Sequence, residues 1–383
     1  MTLREPLWWS VGLLGAGIVA GMAWPCLWYL PAALLLLVMA TLFTLSRKGS
    51  GWALLLFWFA LGAARSSMTS LFPTPAQHAW EAVQTKAQGL SGQMEARLRE
   101  SGLRDESLSL GAALLLGRRE GITRDMRQAY SQSGAAHLLA LSGLHLGILY
   151  GLLHLVVIRR IRFSEWRWTA LPPLLLLLWG YVLLAGMPLS LVRAAVMCSV
   201  VMTATLAQRS LSTMHTLVLS AMVILLVSPM SLVSISFQLS FLAVFFILAI
   251  CDRPTGKPGR WQRVRQMAAV SAAAWLGTSP LAAYYFHTIP LLSIPLSLLL
   301  IPLTTLIVYL SIATLLLPLP LLGTGLGALI SLQNCIVAFC ASLPGATIRG
   351  LHPTWWHIGI VYGLLLLAIA RLNAQRGQTA FRE

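Results

Sequence analysis

His137, Ser142 and His145 interrupt one apolar stretch of the chain, SGAAHLLALSGLHLG from Ser133 to Gly147. An imidazole offers a donor and an acceptor near neutral pH, and a hydroxyl offers both, so such groups can line a path for a polar solute. A second string, GMPLSLVRAAVM, carries Arg193, whose guanidinium can grip a carboxylate or a phosphate through two parallel hydrogen bonds. A third, SISFQLSFLAVFF, puts Ser236 and Ser240 on one helical face with Gln238 pointing elsewhere, a pattern suited to hydrogen bonds between helices. The commoner chemistries are missing. The eight histidines form no HxH, HxxxH or HExxH spacing, the five cysteines form no CxxC pair, and no GxxxxGK[ST] phosphate cradle occurs. No metal, no cofactor and no enzymatic bond chemistry are therefore expected, and any transport draws on a gradient or a partner.

These groups sit in a chain of 383 residues that is 57% hydrophobic and 10% charged. A soluble domain carries roughly 25% charged residues, so this balance reads as a membrane protein. Its unbroken apolar runs exclude the alternating pattern of a porin. At about 20 apolar residues per crossing, the runs from Leu7 to Ala370 make an all-α polytopic integral membrane protein with about 12 transmembrane helices and one helical extracytoplasmic loop region. Lys and Arg in short loops stay on the cytoplasmic side. Placing the N-terminus inside collects sixteen of the 27 basic residues in inner loops, among them the five between Asp252 and Arg265. The net charge of +16 follows largely from this asymmetry, with DNA or anionic headgroups as a further reason for it. Pro290, Pro295, Pro302 and Pro318 leave open whether Leu291 to Leu317 is one kinked helix or two short segments.

Between the third and fourth spans, Trp80, Val83, Ala87, Leu90, Met94 and Leu98 recur at three- and four-residue steps, the apolar face of an amphipathic helix. This helix is expected to pack on the outer mouth of the bundle or to dock a partner. Leu108 to Leu116 is a short apolar piece, and Thr123 is placed as the N-cap of a helix from Asp125 to Tyr130. If Ala135 to Ile158 is one helix, His145 lies about 80° from His137 and about 60° from Ser142, with Gly143, Gly147 and Gly151 on the opposite side. That glycine stripe would let another backbone pack closely. His137 and His145 then either line a pathway or serve as satisfied packing histidines, and His154 reads as interfacial. Arg193 either faces inward or snorkels. An isolated Arg in hydrocarbon costs about 2.5–3.5 kcal/mol on insertion scales, so its retention needs a reason.

In these strings, and in SPMSLVSISFQLSFLAV and YYFHTIPLLSIPLSLLLIPL, the chain resembles the ComEC competence proteins, the inner-membrane channel for incoming DNA in natural transformation. The blocks occur in family order over about residues 108 to 345. The resemblance implies that His137, Ser142, Gly143, His145, Arg193, Gln238 and His287 hold the family's characteristic positions. It implies passage of single-stranded DNA into the cytoplasm through the cell inner membrane. The partners implied are single-stranded DNA and membrane lipid, a periplasmic DNA receptor, and cytoplasmic motor or DNA-binding proteins; a homo-oligomer is left open. The organisation expected is N-terminal spans over 1–71, an extracytoplasmic helical linker over 72–133, a competence-type channel domain over 134–345, and a last span with cytoplasmic tail over 346–383. Family members often add a small β-rich domain and a metallo-β-lactamase-like domain with an HxHxDH run; this chain has no such run, and Ser297 stands where Asn is common. The membrane core alone is expected. A small-solute or ion transporter and a non-transporting membrane scaffold are the rival readings.

The orientation is testable in a cysteine-free background. A cysteine placed near Glu95 should react with an impermeant thiol reagent in intact cells, and one near Lys257 should not. The reverse pattern would invert the topology.

Overall fold

The computed structural model describes residues 6–24, 32–33, 51–71, 77–139, 141–157, 164–208, 212–251, 259–317 and 319–379. Most of the span expected over Leu27 to Leu45 lies outside the described residues. So do Arg47, Lys48, Arg159, Arg160, Arg162, Arg209 and the first part of the Asp252 to Arg265 loop.

Helices make up nearly all of the described chain. The first are α1 (Pro6–Ala23), α2 (Gly51–Leu71), α3 (Gln77–Glu100), α4 (Asp105–Leu116), α5 (Arg124–Ser133) and the single turn α6 (Ala136–Leu139). Next come α7 (Gly143–Val156), α8 (Ser164–Leu184), α9 (Leu189–Leu206), α10 (Thr213–Val227), a 3-10 turn (Pro229–Val233) and α11 (Ile235–Ile250). Then α12 (Arg260–Phe286), β1 (Thr288–Pro290), α13 (Ser293–Leu316), α14 (Pro320–Ser342), β2 (Thr347–Arg349) and α15 (Trp355–Thr379) complete the order. Among the described residues α9, α13 and α14 are long and apolar enough to cross a membrane, and six shorter apolar helices accompany them. The Leu291 to Leu317 stretch is one helix, α13, continuous through Pro302. Several hydroxyls inside these helices are satisfied locally: Ser199, Thr203, Thr278, Thr305 and Thr314 each donate to the carbonyl four residues back. A Ser or Thr can therefore sit in an apolar helix without leaving a bare polar group.

The one departure from an all-helical fold among the described residues is a small antiparallel pair. β1 and β2 match Thr288 with Arg349, Ile289 with Ile348 and Pro290 with Thr347.

The chain divides into two compact units. In the unit of residues 1–86, 153–179 and 192–238, α1 and α2 meet along small residues. A β-carbon at Gly17 or Gly21 would run into the carbonyls of Phe59 or Ala63, and one at Gly62 into that of Leu14. Arg65 of α2 closes the end of α10, its Nε donating to Leu226 O at 2.8 Å and Nη2 to Val227 O at 2.9 Å. These are carbonyls that a helix C-terminus leaves without an intrahelical donor.

The unit of residues 87–152, 180–191 and 239–383 is built around α4. Leu108, Leu110, Ala113 and Leu114 pack with Leu296, Leu300 and Ile307 of α13 and with Leu326, Ile330 and Val337 of α14. The boundaries expected at 71, 133 and 345 thus differ from those of the compact units: α4 and α5, assigned to a linker, belong to the core that α13 and α14 complete. The α3 helix forms as expected with a shifted face. Ala87, Ser91 and Leu98 are buried while Leu90 is 54% exposed, because Leu90 stands about 60° from Ala87 at the edge of the face.

The close approach expected at Gly147 and Gly151 is not found: a β-carbon there would meet nothing within 4 Å among the described residues. At Gly323 in α14 it would strike the Ser101 carbonyl. Gly323→Ala should therefore cost on the order of 1–3 kcal/mol by overpacking, read as a lower unfolding temperature in detergent, whereas Gly147→Ala should be neutral or mildly stabilising. Equal effects would contradict this packing.

Candidate functional site

The histidine string does not form one helix. Thr123 caps α5 by accepting the Met126 N–H at 3.2 Å, as the sequence predicts. The helix ends at Gly134 with φ 85°, where a β-carbon would collide with Ser293 Oγ and Pro290. The glycine is required twice, for its positive φ and for the missing side chain. After the single turn of α6 the helix breaks, and α7 restarts at Gly143.

Ser142 is the N-cap of that restart. Its Oγ accepts the Leu144 N–H at 3.2 Å, its carbonyl accepts the His145 N–H at 3.1 Å, and its own N–H donates to His145 Nδ1 at 3.3 Å. This is a reciprocal capping box with histidine in the place usually held by Glu or Gln. The angular relation expected for His137, Ser142 and His145 on one helix therefore does not hold: Ser142 and His145 meet through the cap. His137 lies on the other side of the break, exposed, its Nδ1 3.1 Å from Gly134 O. Because Nδ1 of His145 accepts, its ring proton sits on Nε2. His145 is 1% exposed, and Nε2 has no partner among the described residues.

Residues of α8 and α9 reach the flanks of the break by hydrogen bonds, each within the same unit. Ser190 at the start of α9 donates to Leu141 O at 2.6 Å, and Tyr181 of α8 donates to Leu115 O at 3.0 Å. Gly117, with φ 75°, allows Leu141 and Ala185 to approach: a β-carbon there would lie 2.6 Å from Leu141 Cδ1 and 2.8 Å from Ala185 O.

In the other unit Arg193 is 3% exposed. Its Nη2 donates to Ser236 Oγ at 2.9 Å, Nε has no partner, and no carboxylate pairs with it among the described residues. Snorkelling is thus not its arrangement. Gln238 donates to Leu232 O at 3.1 Å, and Ser234 accepts the Phe237 N–H at 3.2 Å, so these two close the junction between the 3-10 turn and α11. His287 stands apart from the others in sequence and ends α12 beside the small sheet. Gly143 opens α7, while Gly147 and Gly151 follow along it without the close packing expected of them.

One buried polar chain went unread in the sequence. Thr304 donates to Gln333 Oε1 at 3.1 Å, Gln333 Nε2 donates to the Tyr130 hydroxyl at 3.2 Å, and that hydroxyl donates to Asn334 Oδ1 at 3.0 Å. Burial pushes the Tyr130 phenol up to about 12, against a lowering by the Gln333 bond, so it stays a donor at physiological pH. The signal was the Gln333-Asn334 pair inside an apolar run. Among the described residues no group of three or more His, Cys, Asp or Glu side chains is placed to hold a metal ion.

Apolar helices with mostly back-bonded hydroxyls, a capped break and buried donors short of acceptors define an α-helical membrane protein whose interior polar groups are kept at a cost. The competence protein family matches residues 114–375, most of the chain, and the chain belongs to that family. It is 35% identical to ComE operon protein 3 of Bacillus subtilis (strain 168) over 204 residues, which is 52% of this chain and 25% of that protein. The match thus spans about a quarter of the relative's length. No solved structure matches.

Tyr130→Phe should leave the Asn334 carbonyl without its donor and weaken the buried chain, destabilising the detergent-solubilised protein by about 1–3 kcal/mol. An unchanged unfolding temperature would show that the chain carries no net stability.

Proposed function

We propose that this protein is a multi-pass inner-membrane channel, crossing about 12 times, that passes single-stranded DNA into the cytoplasm during natural transformation. It supplies a route rather than bond chemistry. A periplasmic DNA receptor hands over the strand, and cytoplasmic motor or DNA-binding proteins draw it inward. The observation that carries this reading is Arg193, buried in a membrane-length helix, donating to the Ser236 hydroxyl and paired with no carboxylate among the described residues. A permanent partner would have been a carboxylate. An unpaired guanidinium suits an anion that comes and goes, and phosphate fits its fork geometry. Each phosphate of a strand carries a negative charge that hydrocarbon alone excludes, and conduction needs sites that bind weakly enough to release. The buried His145 N–H adds a donor of the same kind.

The broken helix at Ser142 supports a second reading. Transporters of small solutes and ions place their sites at such interruptions, where freed backbone groups face the substrate.

In a competent strain, deletion should leave DNase-resistant DNA in the periplasm and abolish recombinants. Arg193→Leu should reproduce that loss by about a hundredfold or more with the protein still inserted at normal abundance, since removing a buried charge favours insertion. Wild-type recombinant numbers in either strain would favour the solute transporter or the scaffold.

A further inference from the structure

Where α12 gives way to β1, His287 adopts a left-handed conformation, φ 57° and ψ 23°. Glycine or asparagine ordinarily fills such a position, and a histidine there bears a conformational cost. Its ring is fixed across the sheet. Nδ1 lies 2.9 Å from Leu351 O and so donates to it, and the Leu351 N–H donates back to His287 O at 3.2 Å. With the proton on Nδ1, Nε2 keeps a free lone pair. A carbonyl-held Nδ1–H is the arrangement that orients metal-binding histidines.

The β1 and β2 register sets a second imidazole alongside. His352 has its ring centroid 4.6 Å from that of His287, with the planes inclined by 48°, and both residues are exposed. Two imidazoles sharing one ion at about 2.0–2.1 Å per metal–nitrogen bond, with a bond angle between square and tetrahedral, place their centroids roughly 4.5–5 Å apart. The observed spacing falls in that window.

We propose that His287 and His352 form a two-imidazole site for a late first-row transition-metal dication such as Zn2+. Neutral nitrogen ligands favour such ions over Mg2+ or Ca2+, which take oxygen. Water fills the remaining coordination positions. The ligands are far apart in sequence, so no local spacing announces them.

The full chain, without a histidine tag and stripped with chelator, is titrated with Zn2+ alone by calorimetry in detergent. One equivalent should bind, and His352→Ala should weaken it by about tenfold or more. His287→Asn tolerates the left-handed conformation and should show the same loss with an unchanged unfolding temperature. His154→Ala, at an exposed histidine on α7, should bind as the wild type. Absence of binding by the wild-type chain, or undiminished binding by both His287→Asn and His352→Ala, overturns the site.

Discussion

In hydrocarbon, a backbone carbonyl or N–H that leaves the helical ladder has no water to turn to, so each interruption must be closed from within the protein. The polar residues of this chain are mostly arranged to do that. Arg65 closes α10, Ser142 and His145 close the start of α7, and Ser190 and Tyr181 reach the carbonyls of Leu141 and Leu115. Tyr362 donates to Gly277 O at 2.9 Å, one turn ahead of Pro280, and Trp275 donates to Pro290 O at 3.0 Å beside the small sheet. Thr354 and His357 repeat the serine–histidine cap at the start of α15. In each of these places a side chain answers the irregular backbone.

Against that background the exceptions gain meaning. Once caps, junctions and back-bonded hydroxyls are subtracted, two nitrogens, Arg193 Nε and His145 Nε2, join the Ser311 hydroxyl as buried donors without acceptors among the described residues. An unmet buried donor costs about 1–3 kcal/mol, more when charged, and neither is needed to hold its own helix. The cap formed by His145 uses only Nδ1, and Arg193 spends only part of its fork on Ser236. Each of the two residues therefore serves structure with one nitrogen and keeps another without a partner among the described residues.

The core of residues 87–152, 180–191 and 239–383 follows a different logic. Small residues and apolar faces set how closely helices lie, and a directional polar chain fixes their register. Tyr130 ties α5 to α14 through Gln333 and Asn334, while the Thr347 hydroxyl reaches Gln132 O at the end of the same helix. Gly134, pressed against Ser293 and Pro290, forces the chain to turn directly ahead of the histidine string. The break that sets Ser142 and His145 is in this way anchored to α13 and to the sheet rather than to the string itself.

The family blocks were legible by resemblance, whereas composition and periodicity alone determined the membrane class, most helix positions and the Thr123 cap, because these depend on local hydropathy and on spacings within a few residues. The unusual residues were legible for the same reason: an Arg or His in an apolar run is conspicuous whatever its neighbours do. Their roles were not. Whether Ser142 and His145 share a helix wall or form a cap depends on the break, and the break depends on Gly134, Ser190 and Gly117 meeting partners distant in the chain. The glycine stripe reads the same in sequence as Gly17 and Gly21, yet only the latter meet another backbone among the described residues, since close packing belongs to a pair of helices and not to one. Leu108 to Leu116 looked like part of a loop region by position; the apolar faces of α13 and α14, far along the chain, made it core. The pairing of His287 with His352 came from a three-residue sheet register that no hydropathy pattern encodes.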